Sequence, residues 1–413
     1  MSVSVVPRVY WLTEEFPPEV GGTGLVAASL SSGLAKRQIC VQVITRQTKP
    51  ASPVSESMSG VRVRRIRPAG RKKGVGWAAV PAMLAYLWRL LFLLAREARH
   101  YDVIVVSCMK IIPLVAVPIG RLFGKKCIVR LESPFEVVQP IASESLDSMS
   151  PVVGGALSGM LRRAQRAMLS RADCVVAISD EIEHLLRAAP RPPARIVRIP
   201  NTIDLGRFRP ATSPEREQLR ALLGIPAGRT VALFAGRLSR AKGVGMLVEE
   251  WATLAADDPD LMLLIIGSGK GSWDDCEDYL RQYINAHSLG ERVVLVGQSD
   301  RVPDYMRAAD LFIFPSEYEG FSLAVTEALA SGLPSVLTAV GVATELVRDG
   351  YNGFLFPPRD RETMKRAIAR CLARREEWPE IGRRAREAVA HCDEPRVFDQ
   401  YAALCRQLHA QPH

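Results

Sequence analysis

Short apolar runs rich in β-branched residues recur along the chain, at residues 103–106, 127–129 and 174–178, then at 231–234, 262–266, 293–296 and 311–314. Longer stretches with helical spacing separate them. Strands that are apolar on both faces and alternate with helices predict parallel sheets covered on both sides, so the expected class is α/β, doubly wound. The alternation breaks at residues 201–229, where turn-prone residues and a polar helix lead into a new strand series. An interdomain linker belongs there. The length of 413 residues supports two domains, since one hydrophobic core seldom grows that large. No internal repeat or low-complexity tract appears.

One segment, WAAVPAMLAYLWRLLFLL at residues 77–94, has barely the length of a membrane span and carries Pro81 and Arg89. A buried domain helix is the expectation instead. The amino terminus lacks a basic region followed by an apolar stretch and a small-residue cleavage site, so a cytoplasmic location is expected. The net charge of +10 favours an anionic partner: nucleotide phosphates, nucleic acid or an acidic membrane surface. No nucleic-acid module or aromatic-basic platform is present, and nucleic acid is set aside. Eight cysteines are scattered without a CxxC pair, which predicts reduced core residues rather than a metal centre.

In an open parallel sheet, ligands bind beyond the carboxyl ends of strands, so the residues after each apolar run carry the candidate chemistry. PPEVGGTG (residues 17–24) follows the first strand; Gly21 and Gly22 let the backbone approach a ligand at a helix start, or simply make a tight turn. FAGRLSRAKGV (residues 234–244) contains Gly236, and its Arg237 and Lys242 bracket a turn where a forked guanidinium and a compact ammonium suit a diphosphate. PSEYEGFSLAVTEALASGLP (residues 315–334) follows LFIF. Gly320 is expected to leave Glu319 in a loop and Glu327 on the inner face of the next helix. The carboxylates can then accept from hydroxyls while the amides of Phe321, Ser322 and Leu323 face phosphates.

Two smaller glycine turns lie nearby. IGSGKG (residues 266–271) includes Gly267, and VVLVGQ (residues 293–298) ends near Gly297, which has room for a flat base. Each also has a plain turn explanation. The acidic run Asp274, Asp275, Glu277 and Asp278 reads as a capped and solvated helix start rather than a metal site.

Taken in order, GGTG, AISDEI (177–182), IPNTID (199–204), GRLSRAKG (236–243), the pair Glu319 and Glu327, and DGYNGFLFPPRD (349–360) resemble the retaining GT-B glycosyltransferases of glycosyltransferase family four. The resemblance spans nearly the whole chain. It implies two Rossmann-like domains facing across a cleft: an acceptor-binding domain at 1–205, a nucleotide-sugar-binding domain at 206–394, and a last helix, about 395–413, packing back on the first. It also implies that Arg237 and Lys242 grip the diphosphate, Glu319 and the following amides contact donor sugar and phosphates, and Glu327 holds the ribose. Gly22 would approach the diphosphate from the first domain. No metal or cofactor is expected, because fixed cations stabilise the leaving diphosphate.

One position departs from the family. Many relatives carry histidine after the strand that here reads CIVRLESPFE, and this chain has Glu132 or Ser133 there. Glu132 is the candidate to contact the donor sugar; otherwise the acceptor chemistry differs, or the chain is a catalytically silent nucleotide-sugar-binding partner. The acceptor is a glycan, a lipid-linked compound or a small molecule. The basic, apolar segments at residues 61–77 and 159–171 suit peripheral contact with an anionic membrane, or are solvated faces of core-packed helices.

Overall fold

The computed structural model describes residues 6–18, 21–47, 51–67, 80–107, 111–138, 151–270, 272 and 274–411. The chain forms two compact units, Met1–Thr202 with Glu394–His413, and Ile203–Asp393. The first contains eight strands: β1 Arg8–Thr13, β2 Cys40–Arg46, β3 Ser55–Met58, β4 Val61–Ile66, β5 Val103–Ser107, β6 Lys126–Leu131, β7 Cys174–Ala177 and β8 Ile196–Arg198. Their order is β3-β4-β2-β1-β5-β6-β7-β8. All neighbours are parallel except β3, which pairs antiparallel with β4 at the edge. The second unit contains β9 Thr230–Ala235, β10 Leu261–Ile266, β11 Val293–Gly297, β12 Leu311–Phe314, β13 Ser335–Thr338 and β14 Phe354–Phe356, in the parallel order β11-β10-β9-β12-β13-β14.

The apolar runs become strands because both of their faces are covered. Every residue of β5, β6, β7, β10, β12 and β13 is buried, which alternating patterning would not allow. In the second sheet the chain runs outward from β9 through β10 to β11, then returns to the other side of β9 as β12. The topological switch therefore lies at the carboxyl ends of β9 and β12, and the crevice that such a reversal leaves is the usual ligand position. In the first sheet β1 and β5 stand in the same relation.

The last helix, Glu394–Ala410, belongs to the first unit, where it buries Val397, Phe398, Tyr401, Leu404, Cys405 and Leu408. It packs on the helix Gly22–Lys36. Gly33 makes that approach feasible: a Cβ there would stand 2.4 Å from the Phe398 ring.

Two expectations change. Cys40, at the start of β2, is exposed, whereas Cys127, Cys174, Cys276, Cys371, Cys392 and Cys405 are buried free thiols; Cys108 lies outside the described residues. The apolar stretch at 77–94, of which 77–79 lie outside the described residues, forms the helix Val80–Arg96. It is not wholly buried. Tyr86, Leu90, Leu93 and Leu94 face the core, while Leu84, Trp88 and Phe92 stand on the open side. Among the described residues no helix is long and apolar enough to cross a membrane.

Candidate active site

The loops after β9 and β12 meet at the switch point. After β9 the chain passes Gly236 and Arg237, makes the single 3-10 turn Arg240–Lys242, and enters the helix Val244–Asp257 through Gly243. Gly243 has φ 68°, and a Cβ there would lie 2.1 Å from the Pro315 carbonyl oxygen. Only glycine permits this approach. The amide of Glu317 donates to the Ala241 carbonyl at 2.9 Å, so the two loops are joined through their backbones.

That junction sets Lys242 against Glu319, with Nζ 2.5 Å from Oε1 and 5.6 Å from the centre of the Phe314 ring. Behind Glu319, Gly341 at φ 53° passes so close that a Cβ would fall 2.5 Å from the Glu319 carbonyl. Arg237 is exposed, and its guanidinium has no hydrogen-bond or ion-pair partner among the described residues. One cation is thus uncommitted, and the other is held by a carboxylate that an anionic ligand can replace.

Glu319, Gly320 and Phe321 lie in the loop, and Ser322 caps the helix Leu323–Ala330 by accepting from the Val325 amide at 3.4 Å. The first turn contains no acidic side chain, so the positive helix end is left for another anion. Glu327 projects from this helix. It retains some solvent access yet lies deep among protein atoms, and burial pushes its carboxyl up to about 7, partly countered by Arg207. Its carboxyl has no hydrogen-bond or ion-pair partner among the described residues. A buried, unpartnered carboxylate is costly and is relieved by ligand hydroxyls.

The glycine turns after β9, β10 and β11 stack on one another. Gly236 donates to the Ile266 carbonyl and Gly267 to the Gly297 carbonyl, each at 2.9 Å. Gly267 has φ 144°, and a Cβ there would stand 1.7 Å from the Gly236 oxygen. Gly267 is therefore required by contact between turns, whereas a Cβ on Gly236 would meet only the Phe314 ring, at 3.2 Å, and the Phe234 ring. Gly297, at φ 81°, faces open space.

The acidic run does the expected capping and more: the Asp275 carboxylate accepts from the Glu277 amide at 2.9 Å, and Glu277 and Asp278 stand in the first turn of the helix that follows. The cap residue of that helix, Glu277–Ala286, is Cys276, and it makes no side-chain cap hydrogen bond. Asp274 accepts from the Ala241 amide at 3.2 Å and from Ser272 Oγ at 2.5 Å, while its carbonyl takes the Arg240 amide at 3.0 Å. Glu277 accepts from Arg281, the Gly269 amide and Ser268 Oγ, which draw its carboxyl down to about 2. Asp274 and Glu277 thus tie the glycine turn after β10, whose Gly271 lies outside the described residues, to the turn bearing Lys242. Sequence reading missed this role; the only signal was their position directly after IGSGKG. Among the described residues no group of His, Cys, Asp and Glu has metal-binding geometry.

A cavity of about 380 Å³ opens beside the same turn, lined by Arg240, Gly243, Pro315, Glu317 and Arg359 among others. None of Arg237, Lys242, Glu319 or Glu327 lines it, so it is not the space these residues define.

In the first unit, Gly21 caps and Gly22 begins the helix Gly22–Lys36, whose first turn has neither a side-chain cap nor an acidic residue; Glu19 and Val20 of the same motif lie outside the described residues. Glu132 follows β6. Its Oε1 accepts from Ser107 Oγ at 2.7 Å and from the Arg130 guanidinium, and its amide donates to Glu136 Oε2 at 2.9 Å. Oε2 of Glu132 has no partner among the described residues. Arg130 is wholly buried and also donates to the Tyr401 hydroxyl at 3.0 Å and to Asn201. Arg130 thereby holds Glu132 against β5, a link that sequence reasoning did not supply.

Two parallel-sheet α/β units, with cations and carboxylates gathered at a strand-order reversal, define a GT-B architecture. The family model "Glycosyl transferases group 1" matches residues 215–388, and "Glycosyl transferase 4-like domain" matches residues 21–202. The D-inositol 3-phosphate glycosyltransferase of Kineococcus radiotolerans is 31% identical over 344 residues, covering 80% of this chain and 76% of its own. Sucrose-phosphate synthase from Thermosynechococcus elongatus superposes with a TM-score of 0.78 at 26% identity, covering 98% of this chain and 99% of that one. Anabaena HepE, solved in complex with UDP, shares the fold at a TM-score of 0.75 and 21% identity, over 96% and 99% of the two chains. This chain belongs to the group 1 glycosyltransferases and is a glycosyltransferase.

Proposed function

We propose that this glycosyltransferase takes its sugar from a nucleoside-diphosphate sugar held by the unit Ile203–Asp393, and transfers it with retention and without a metal. The observation that carries the reading is the meeting of Arg237, Lys242, the helix end at Leu323 and the unpartnered Glu327 around the carboxyl ends of β9 and β12. Each matches one part of such a donor. Arg237 and Lys242 take the diphosphate, with the ammonium exchanging Glu319 for phosphate oxygens; the amides at Phe321, Ser322 and Leu323 complete the anion site. Glu319, released, accepts from sugar hydroxyls, and Glu327 accepts from the ribose. Gly297 borders the base.

Breaking the glycosyl phosphate bond puts negative charge on the departing diphosphate. Fixed cations aimed there stabilise the transition state more than the ground state, by several kcal/mol in comparable anion sites (about 2.7–4 kcal/mol per donor). The departing phosphate is also the base that takes the acceptor proton, which keeps attack on the face the leaving group vacates. In the first unit, Gly21 and Gly22 begin a helix whose first turn has no side-chain cap, and Glu132 keeps Oε2 unpartnered among the described residues. The acceptor is a hydroxyl compound bound by that unit: a glycan, a lipid-linked compound or a small molecule. Because the similar Kineococcus enzyme is named for D-inositol 3-phosphate, that compound heads the acceptor panel.

The test is product formation from UDP-, GDP- and ADP-sugars with D-inositol 3-phosphate, simple glycans and lipid-linked sugars as acceptors, with the new linkage read by NMR in excess chelator. An α-linked product from an α-configured donor supports the proposal. An inverted linkage, or turnover abolished by chelator and restored by a divalent cation, overturns it.

A further inference from the structure

Three helices of the first unit pack side by side: Val80–Arg96 on Pro113–Leu122, and Pro113–Leu122 on Pro151–Leu169. None contains an Asp or Glu, yet together they carry Arg89, Arg96, Arg121, Arg162, Arg163 and Arg166. Every one of these arginines is exposed. The 17, 10 and 19 residues of these three helices would contain several carboxylates at average composition, so this layer is selectively cationic.

The same layer presents large apolar side chains to solvent. Leu84, Trp88 and Phe92 are 57%, 69% and 60% exposed, and four-residue spacing stacks them in one stripe about 12 Å long. Arg89 and Arg96 both fall within about 60° of Phe92 around the helix, between the stripe and the buried face. The neighbouring helix ends at exposed Leu122 and Phe123. A protein partner would be expected to offset some of the arginines with carboxylates, but none of these three helices carries a carboxylate to alternate with them. An apolar stripe centred on tryptophan and bordered by arginines instead matches the boundary of an anionic bilayer, where the rings enter the acyl margin and the guanidiniums reach phosphates.

We infer that this face, with Leu84, Trp88 and Phe92 at its centre, docks the enzyme on an anionic phospholipid surface. Docking does not depend on how the donor is bound. The membrane contact is shallow: the helix lies in the interface plane and does not span. Because the attraction combines insertion with charge, it weakens as salt rises.

The experiment is co-sedimentation of the full chain with vesicles containing phosphatidylglycerol and with vesicles of phosphatidylcholine alone, together with tryptophan emission. Expected are binding to the anionic vesicles only, a blue shift on binding, and at least a ten-fold lower partition for Trp88→Ser/Phe92→Ser, about the effect of losing two inserted rings. Those side chains are exposed, so the variant's thermal unfolding is expected to match the parent's and serves as the folding control. Equal binding of parent and variant overturns the proposal. So does absence of vesicle binding at low salt, including the case in which sedimentation velocity shows a dimer that the same variant dissolves, which would assign the face to a second copy.

Discussion

At the scale of single residues, Glu327 offers the sharpest prediction. Its carboxyl titrates at about 7 instead of near 4.5, so the native state binds more protons than the unfolded state between those values. Stability therefore declines as pH rises from about 4.5 to about 7, by up to about 3 kcal/mol, and is level above. Glu327→Gln is expected to remove that slope in urea titrations. Hydroxyls donating to Glu327 favour its ionised form, so affinity for a nucleotide sugar should rise from about pH 6 to about pH 8, and the rise should vanish in Glu327→Gln. Arg130 gives a second residue-level expectation. Arg130→Met leaves Glu132 without its buried cation and Glu132→Gln leaves the wholly buried Arg130 without its carboxylate, so each is expected to cost about 3–5 kcal/mol by denaturant titration. Arg237, Lys242, Glu319 and Glu327 were legible in the sequence because each directly follows, or soon follows, a recognisable apolar strand. Arg130 was not, since its partner Tyr401 is 271 positions away and nothing local marks the pair.

At the scale of elements, the site is a set of turns that hold one another. Gly267→Ala would force a Cβ into the Gly236 carbonyl in a backbone conformation that L-residues avoid. A loss of at least about 2 kcal/mol and a lowered melting temperature are expected, with donor affinity falling in step because the displaced turn is bonded to the one carrying Arg237. Glycine positions were readable, but their reason was not. A glycine between strand and helix serves a ligand or a neighbouring turn equally well until the neighbour is located. The acidic run illustrates the same limit: carboxylates at a helix start look like caps, as Asp275 is for the Glu277 amide, but nothing local shows that Asp274 and Glu277 also bond the amides of Ala241 and Gly269 in adjacent turns. The helix Val80–Arg96 was misjudged as buried because its composition is apolar nearly all round. Only the packing of its neighbours leaves Leu84, Trp88 and Phe92 uncovered.

At the scale of the whole molecule, the chain leaves its first unit after Thr202 and re-enters it at Glu394. Ending the chain at Asp393 would strip Phe398, Tyr401 and Leu404 from the first unit and leave Arg130 without the Tyr401 hydroxyl. That truncation is expected to yield aggregated protein or a first unit that melts well below the second, as differential calorimetry would show. The α/β class and the existence of two sheets were legible from doubly buried strands, while the antiparallel edge strand β3, polar and short, gave no pattern to read. The measurement that bears most directly on the central claim is thermal stabilisation of the intact chain by UDP-, GDP- and ADP-sugars, with Arg237→Ala and Glu327→Ala beside it. The account predicts a concentration-dependent rise in melting temperature with one nucleotide class, lost in both variants. A rise that survives in both variants would contradict it, as would no rise with any donor in the presence or absence of acceptor.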